Sequence, residues 1–123
     1  MSNIHKFNDA TSRIIGIAIV VRKNFGPGYE ETFYQRALAL ELISSNLRFT
    51  REQWVPIYYK NKKIGTKRVD FIIENIIVEI KAKSQFDPQD YVQTLSYLKA
   101  SKFKTALLLN FGSPKIQIKR FVN

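Results

Sequence analysis

Cysteine is absent from this 123-residue sequence, and histidine occurs once, as His5. Without cysteine the chain cannot form disulfides, thiolate metal sites or a cysteine nucleophile. A single histidine excludes metal sites with several histidine ligands and disfavours a Ser-His-Asp triad. The longest apolar run, 14–21, is far shorter than the ~20 residues that a membrane helix needs. Asn8 and Asp9 interrupt the start of the chain, which therefore lacks the pattern of a secretory signal.

Acidic residues are scarce relative to basic ones. Lys and Arg number 20 and Asp and Glu number 10, which gives a formal charge of +10 at pH 7. This excess favours a polyanionic partner, with a charged face kept for solubility as the alternative. The length fits one domain, and 45% hydrophobic with 13% aromatic residues is typical of a folded core. We expect a single soluble domain over 1–123, located in the cytoplasm and without membrane association. Residues 1–8 are expected to be flexible, and His5 is assigned no role.

Hydrophobic spacing predicts two helices in the first part of the chain. The first begins at Asp9 or Thr11, either of which could cap it, and ends near Asn24. A Phe-Gly-Pro-Gly sequence at 25–28 breaks this helix. The second helix is predicted at 29–46, with acidic residues in its first turn, where the helix dipole favours them.

From residue 49 onward the pattern becomes that of strands. The first strand is rich in β-branched and aromatic residues, and Pro56 favours an edge position for it. A third helix has clear start signals: Asp87 as N-cap, Pro88 at the first helical position and Asp90 three residues after the cap. The predicted elements are strands at 49–59, 64–73 and 76–81, a helix from 88 to about 101, and strands at 105–111 and 116–122. The order α-α-β-β-β-α-β-β predicts a mixed α/β fold.

One predicted hairpin brings three charged residues together. If Glu74 and Asn75 form its two-residue turn, stepping outward along the strands places Asp70 opposite Glu79, with Cβ atoms about 5 Å apart. Lys81 lies two residues beyond Glu79 and therefore projects from the same face. Two carboxylates this close repel each other unless a proton or a cation shares the site.

A divalent metal ion would relieve that repulsion. Oxygen ligands favour Mg²⁺ or Mn²⁺ over Zn²⁺. A metal held by carboxylates beside an ammonium group can polarise a phosphate and acidify a water, while the lysine positions or deprotonates the nucleophile. The alternative is a strand pair whose charged side chains simply face solvent, with Lys81 neutralising Glu79.

Several motifs, in order along the chain, resemble the PD-(D/E)xK nuclease superfamily. Asp70 followed by Glu79-x-Lys81 matches the mark of that superfamily, and the α-β-β-β-α-β run is similar to its core. The sequence 28–34, Gly-Tyr-Glu-Glu-Thr-Phe-Tyr, matches the name motif of the small bacterial GxxExxY family within it. Gln93-x-x-x-Tyr97 is similar to an element of exonuclease-like branches. The resemblance covers about Ile14 to Val122.

The resemblance implies a restriction-endonuclease-like core, in which helices flank a mixed central sheet, and a role for each matching position. One departure is Val69, which stands where the superfamily name has a proline that carries no chemistry. The implied roles are metal binding for Asp70, Glu79, the Ile80 carbonyl and Glu31, water orientation or activation for Lys81, contact with the scissile phosphate or the lysine for Gln93, and bracing of the site for Tyr97.

Helical spacing supports part of this assignment independently. Glu31 shares a stripe with Tyr34 and Leu38, so its carboxylate should point toward the core, where it needs a partner. A helix-start acid satisfied by the dipole is the alternative. Gln93 and Tyr97 share a second stripe, which the first two helices or another subunit could cover. A homodimer would also cover the apolar residues that helix 2 carries off its main stripe, Phe33, Ala37 and Leu40.

Basic residues bracket the strand region, as expected for contacts with phosphates that carry no sequence preference. Lys67, Arg68 and Lys83 adjoin the predicted site and are candidates for nucleic-acid binding. Trp54, Tyr58 and Tyr59 could stack on bases, although sheet packing is the commoner role. The sequence therefore predicts a metal-dependent nuclease acting on DNA. The alternatives are a catalytically silent nucleic-acid-binding module and a protein-interaction domain.

Overall fold

The structure is a computed structural model that describes the chain from Asn3 to Asn123, with side chains from Ala10 onward. Met1 and Ser2 lie outside the described residues, as does the His5 side chain, so the flexibility expected for 1–8 stays a prediction. The elements are α1 Asn3–Phe25, α2 Glu31–Ile43, β1 Phe49–Tyr59, β2 Lys62–Ile73, β3 Ile76–Lys81, α3 Pro88–Ala100, β4 Thr105–Asn110 and β5 Gln117–Val122. The predicted element order is confirmed.

Helix bounds differ from the sequence prediction at two places. α1 begins at Asn3, before the Asp9 or Thr11 start that the sequence predicted, because 3–10 contains no Gly or Pro to interrupt the helix. α2 is shorter than 29–46 and ends at Ile43. There the Ser45 hydroxyl donates to the Leu42 carbonyl, which lies in the last turn of the helix.

The five strands form one mixed sheet in the order β1-β2-β3-β4-β5. The pair β3–β4 is parallel, with α3 as its crossover, and the other pairs are antiparallel. β1 is an edge strand, as Pro56 predicted. Asp87 caps α3 in a capping box with Asp90, also as predicted. None of the helices within residues 3–123 has the length and hydropathy needed to cross a membrane.

Helices cover both faces of the sheet. On one face α1 and α2 pack Ile14, Tyr34 and Leu38 against strand residues that include Val78 and Leu107. On the other face Leu98 of α3 packs in a cluster with Val55, Val69, Ile77, Ala106, Leu108 and Phe121. Every residue of β4 is buried, because both layers cover it.

Candidate active site

The ladder between β2 and β3 stops where the predicted site begins. The predicted register is confirmed for its three pairs, 71 with 78, 72 with 77 and 73 with 76. Glu74 and Asn75 form the turn, both with positive φ, as a type I′ turn requires. Beyond Phe71 no β2–β3 pair is formed, although β2 continues to pair with β1. The two strands therefore separate into a fork.

Two carboxylates fill this fork in place of ladder hydrogen bonds. Glu79 Oε1 accepts a hydrogen bond from the Asp70 backbone N–H at 3.0 Å, and Asp70 Oδ2 accepts one from the Ile80 N–H at 2.7 Å. Each carboxylate thus accepts a hydrogen bond from a backbone N–H of the opposite strand. The side chains lie across the fork from each other, so their charges repel.

Glu79 experiences this repulsion most directly. Burial, followed by the charge of Asp70, raises the pKa of Glu79 from its usual value to about 7. The nearest ammonium, Lys67 Nζ, lies 4.0 Å from Glu79 Oε2, too far for a close hydrogen bond. The negative charge of Asp70 and Glu79 is therefore poorly compensated by nearby basic side chains.

Glu31 and Lys81 line the same open cleft, which has a volume of about 360 Å³. Glu31 enters from the first turn of α2, and burial raises its pKa while the charge of Lys81 opposes that rise. Lys81 extends from the end of β3, with Nζ 3.9 Å from the buried carboxylate of Asp90. The cleft wall also contains Asp70, Glu79, Ile80, Lys67, Arg68 and Val69.

Gln93 and Tyr97 lie next to this cleft rather than inside it. Both line a smaller cavity of about 60 Å³, whose walls include Glu79 and Lys81. The Tyr97 ring lies 5.3 Å from Lys67 Nζ, within the range of a cation–π contact. The structure therefore places these two α3 residues beside the acids and the lysine, across a wall that the two cavities share.

The loop before α2 explains the first motif structurally. Gly28 has a φ of +98°, a conformation that favours glycine. The Tyr34 hydroxyl donates to the Gly26 carbonyl at 2.6 Å, and the buried Tyr34 ring stacks on Phe111 with centroids 4.8 Å apart. These contacts fix the start of α2 and with it the position of Glu31.

Sequence reasoning missed Gln35, which is buried and contacts the site directly. Its side-chain amide donates to Asp70 Oδ1 at 3.0 Å, and its amide oxygen accepts from Arg51 at 3.1 Å. Gln35 thus orients Asp70 from the α2 side. Its position, four residues after Glu31 on the core-facing side of α2, was the available signal.

Asn110 and Gly112 hold the segment that follows β3, and sequence reasoning missed both. The buried Asn110 side chain accepts from the Lys83 N–H and donates to the Lys83 carbonyl, both at 3.0 Å. A Cβ at Gly112 would lie 2.5 Å from the Lys83 backbone nitrogen, so only glycine fits there. This close packing fixes the chain just beyond Lys81.

Two of the basic residues predicted to bind nucleic acid already have acidic partners. Lys83 Nζ pairs with Asp87 and Asp90, each at 2.9 Å, and these contacts raise the pKa of Lys83. Arg68 pairs with Glu52 at 2.8 Å across the β1–β2 ladder. Their contacts with a nucleic acid stay predictions.

The donor set of the cleft fits a hard divalent cation. It offers carboxylate and carbonyl oxygens, the ligands that Mg²⁺ and Mn²⁺ prefer. Within the part of the chain that the structure describes, no three acidic or histidine side chains stand close enough together to hold a metal ion. Asp70 and Glu79 would therefore hold such an ion as a pair, and Glu31 reaches the same cleft from α2.

The comparisons with known proteins agree with this architecture. Three solved chains match, among them the crystal structure of SSO0001, with a TM-score of 0.58 and 18% sequence identity. That match covers 75% of this chain and 49% of SSO0001, so this chain spans about half the length of that protein. At this identity the likeness concerns the fold alone. None of the curated proteins compared with the chain matches it.

The sequence profile of the PD-(D/E)XK nuclease superfamily matches residues 8–121, which is most of the chain. The mixed sheet with helices on both faces is consistent with the restriction-endonuclease-like fold that the sequence predicted. The chain belongs to the PD-(D/E)XK nuclease superfamily.

Proposed function

We propose that this protein is a metal-dependent nuclease that hydrolyses phosphodiester bonds of DNA, with Mg²⁺ or Mn²⁺ as its metal ion. The observation that carries the proposal is the fork, in which Asp70 and Glu79 face each other with Lys81 and Glu31 in the same cleft. We further infer membership of the GxxExxY family, since Gly28 and Tyr34 fix the start of α2, from which Glu31 reaches this cleft. The proposal keeps the cytoplasmic location expected from the sequence.

The side chains of the cleft would have different roles in hydrolysis. Asp70, Glu79 and the Ile80 carbonyl would hold the metal ion, with Glu31 completing or supporting the site. When bound, the ion would supply Lewis acidity and lower the pKa of a bound water. Lys81 would orient that water or accept its proton.

The remaining residues position the substrate and the machinery. Gln93, at the wall shared with the smaller cavity, would contact the scissile phosphate or Lys81. Tyr97 would brace the site through Lys67, which its ring contacts. Lys67, Arg68 and Lys83 would bind flanking phosphates, for which Lys83 must exchange its contacts with Asp87 and Asp90. A homodimer, formed through the exposed apolar residues of α2, is part of this proposal.

Cleavage assays on single- and double-stranded DNA test the proposal. We expect wild-type protein to cut with Mg²⁺ or Mn²⁺ and not with EDTA. Asp70→Asn and Lys81→Ala should each lower the rate at least about 100-fold, since each removes a group that acts on the reacting atoms. Glu41→Gln, a change of the same kind on α2 outside the cleft, is the control and should leave the rate unchanged.

Two outcomes would contradict the assignment. If Asp70→Asn and Lys81→Ala cut as fast as wild type, a contaminating nuclease or another site does the chemistry. If purified wild-type protein binds DNA without cutting it under any metal condition, the protein is a silent nucleic-acid-binding module on the same fold.

A further inference from the structure

The net positive charge of the molecule comes from two segments of the chain. From Gln53 to Val69 and from Tyr91 to Asn123 the sequence contains no acidic residue. These segments carry 11 of the 20 Lys and Arg residues, whereas the rest of the chain has the other 9 together with all 10 acids. The 11 are Lys60, Lys62, Lys63, Lys67, Arg68, Lys99, Lys102, Lys104, Lys115, Lys119 and Arg120.

The fold packs the first segment against α3 and the residues just after it, at the start of the second segment, beside the cleft. The first segment is the part of the β1–β2 hairpin beyond the fork, residues 53–69, here called the arm. The arm packs on α3 through Val55, which shares a cluster with Leu98. Near the outer end of the arm, Lys102 Nζ lies 4.6 Å from the centre of the Tyr58 ring. The arm therefore runs from the fork along α3 to the end of that helix.

Basic side chains occur along the whole length of the arm. Lys67 lines the cleft, and Lys63 pairs with Tyr58 in the β1–β2 register, so Lys63 lies on the face that Lys102 approaches. Lys63 lies seven positions before Asp70 in β2, which is roughly 23 Å of strand at about 3.3 Å per residue. A DNA duplex covers that distance in about seven base pairs.

The exposed surface of the arm has the composition of a nucleic-acid-binding surface. Trp54 and Tyr59 are 58% and 62% exposed, and every residue from Tyr59 to Thr66 is exposed. Exposed aromatic rings among lysines suit stacking and phosphate contact together. The absence of acids favours a polyanion over a protein surface of mixed charge.

We propose that the arm and the C-terminal part of α3 form a track that binds the phosphate backbone of a nucleic acid up to about seven nucleotides from the cleft. The track rests on the proposed function in taking nucleic acid as the substrate. It adds a distant binding surface to the phosphate contacts at the cleft itself.

Binding of a labelled 24-bp DNA duplex in EDTA, followed by fluorescence anisotropy, tests the track. Lys62→Ala/Lys63→Ala removes two charges from the tip of the arm. The matched control, Lys23→Ala/Arg36→Ala, removes two exposed charges from α1 and α2, on the other face of the sheet. The arm variant should bind about tenfold more weakly at 0.1 M salt, and the slope of log K against log salt should decrease by about 2. The control should weaken binding less than about twofold.

Equal weakening by the two double variants would show that binding follows net charge alone and would overturn the track. No weakening in either variant, or no binding by wild-type protein, would overturn it too. Because the measurement needs no cleavage, a protein that binds in the expected way but never cuts contradicts only the nuclease proposal. Thermal melting of both variants confirms that they fold.

Discussion

Burial and repulsion act together on Glu79. Both raise its pKa, to about 7 from a usual value of 4.5, and Lys67 only partly opposes them. Between these two pH values the folded protein holds a proton that the unfolded chain has released. The free energy of unfolding of the metal-free protein should therefore be largest below pH 4.5, as far as Glu79 contributes, and should fall as the pH rises to about 7.

Glu79→Gln isolates this contribution. The glutamine keeps an oxygen for the Asp70 N–H but cannot ionise. A rise in pKa from 4.5 to about 7 corresponds to about 3 kcal/mol as an upper bound. In EDTA, wild-type protein should lose up to that much stability between pH 5 and pH 8 relative to the variant, as measured by urea unfolding. The same pH dependence in both proteins would show that Glu79 is not the group under strain.

The segment after β3 depends on one close backbone approach. Gly112 lies against the backbone of Ala82 and Lys83, and an added Cβ would come within 2.5–2.7 Å of atoms in that backbone. Backbone atoms cannot move aside as the end of a flexible side chain can. A methyl group at this position must therefore displace the chain just beyond Lys81 or push the β4–β5 connection outward.

Gly112→Ala should lower the free energy of unfolding by about 2 kcal/mol or more. Gly65→Ala is the control, because Gly65 lies in β2 with open space around its Cβ position, and it should change stability by less than about 1 kcal/mol. Urea unfolding of the three proteins measures both effects. A Gly112→Ala protein as stable as Gly65→Ala would mean that Gly112 lies farther from the Ala82–Lys83 backbone than the structure shows.

Local chemistry explains which elements could be predicted from the sequence. The β2–β3 register follows from a two-residue turn, and the start of α3 follows from its capping box, so neither needs distant contacts. The predicted bounds of β1 and β3 are confirmed. A turn with its own sequence signal follows β1 and another precedes β3. The Asp70–Glu79 juxtaposition came from the same local pattern.

Tertiary contacts explain what the sequence did not reveal. Val69 packs on the α3 side and Phe71 on the α1–α2 side, although residues two apart in a regular strand share a face. The change of face occurs at Asp70, where the β2–β3 ladder ends. In the neighbouring strand β1, the residue level with Asp70 is Glu52, which has a φ of +48°. A glutamate gives no sequence signal for that conformation. Gln35 was missed for a related reason, since its partners lie on other elements.

The exposed apolar residues of α2 lie on the opposite face of the sheet from α3. The acid-free segments include the arm and most of α3, whereas α1 and α2 together carry five basic and three acidic residues. Phe33 is 45% exposed, Leu40 70% and Ile43 68%, while Ala37 packs against the core. Two copies joined through α2 would bury these residues and keep their basic sides apart. The homodimer and the nucleic-acid track are therefore compatible.

Leu40→Glu tests the dimer. A charge at the centre of an apolar interface must be desolvated without a partner, so the variant should raise the dimer dissociation constant at least about tenfold. Ile64→Glu is the control, because Ile64 is 67% exposed but lies on the arm. Sedimentation velocity over a range of concentrations should show wild type and Ile64→Glu dimerising and Leu40→Glu monomeric. A wild-type protein that stays monomeric at high concentration would contradict the proposed dimer. Equal effects of Leu40→Glu and Ile64→Glu on dimerisation would show that the interface is not formed by α2.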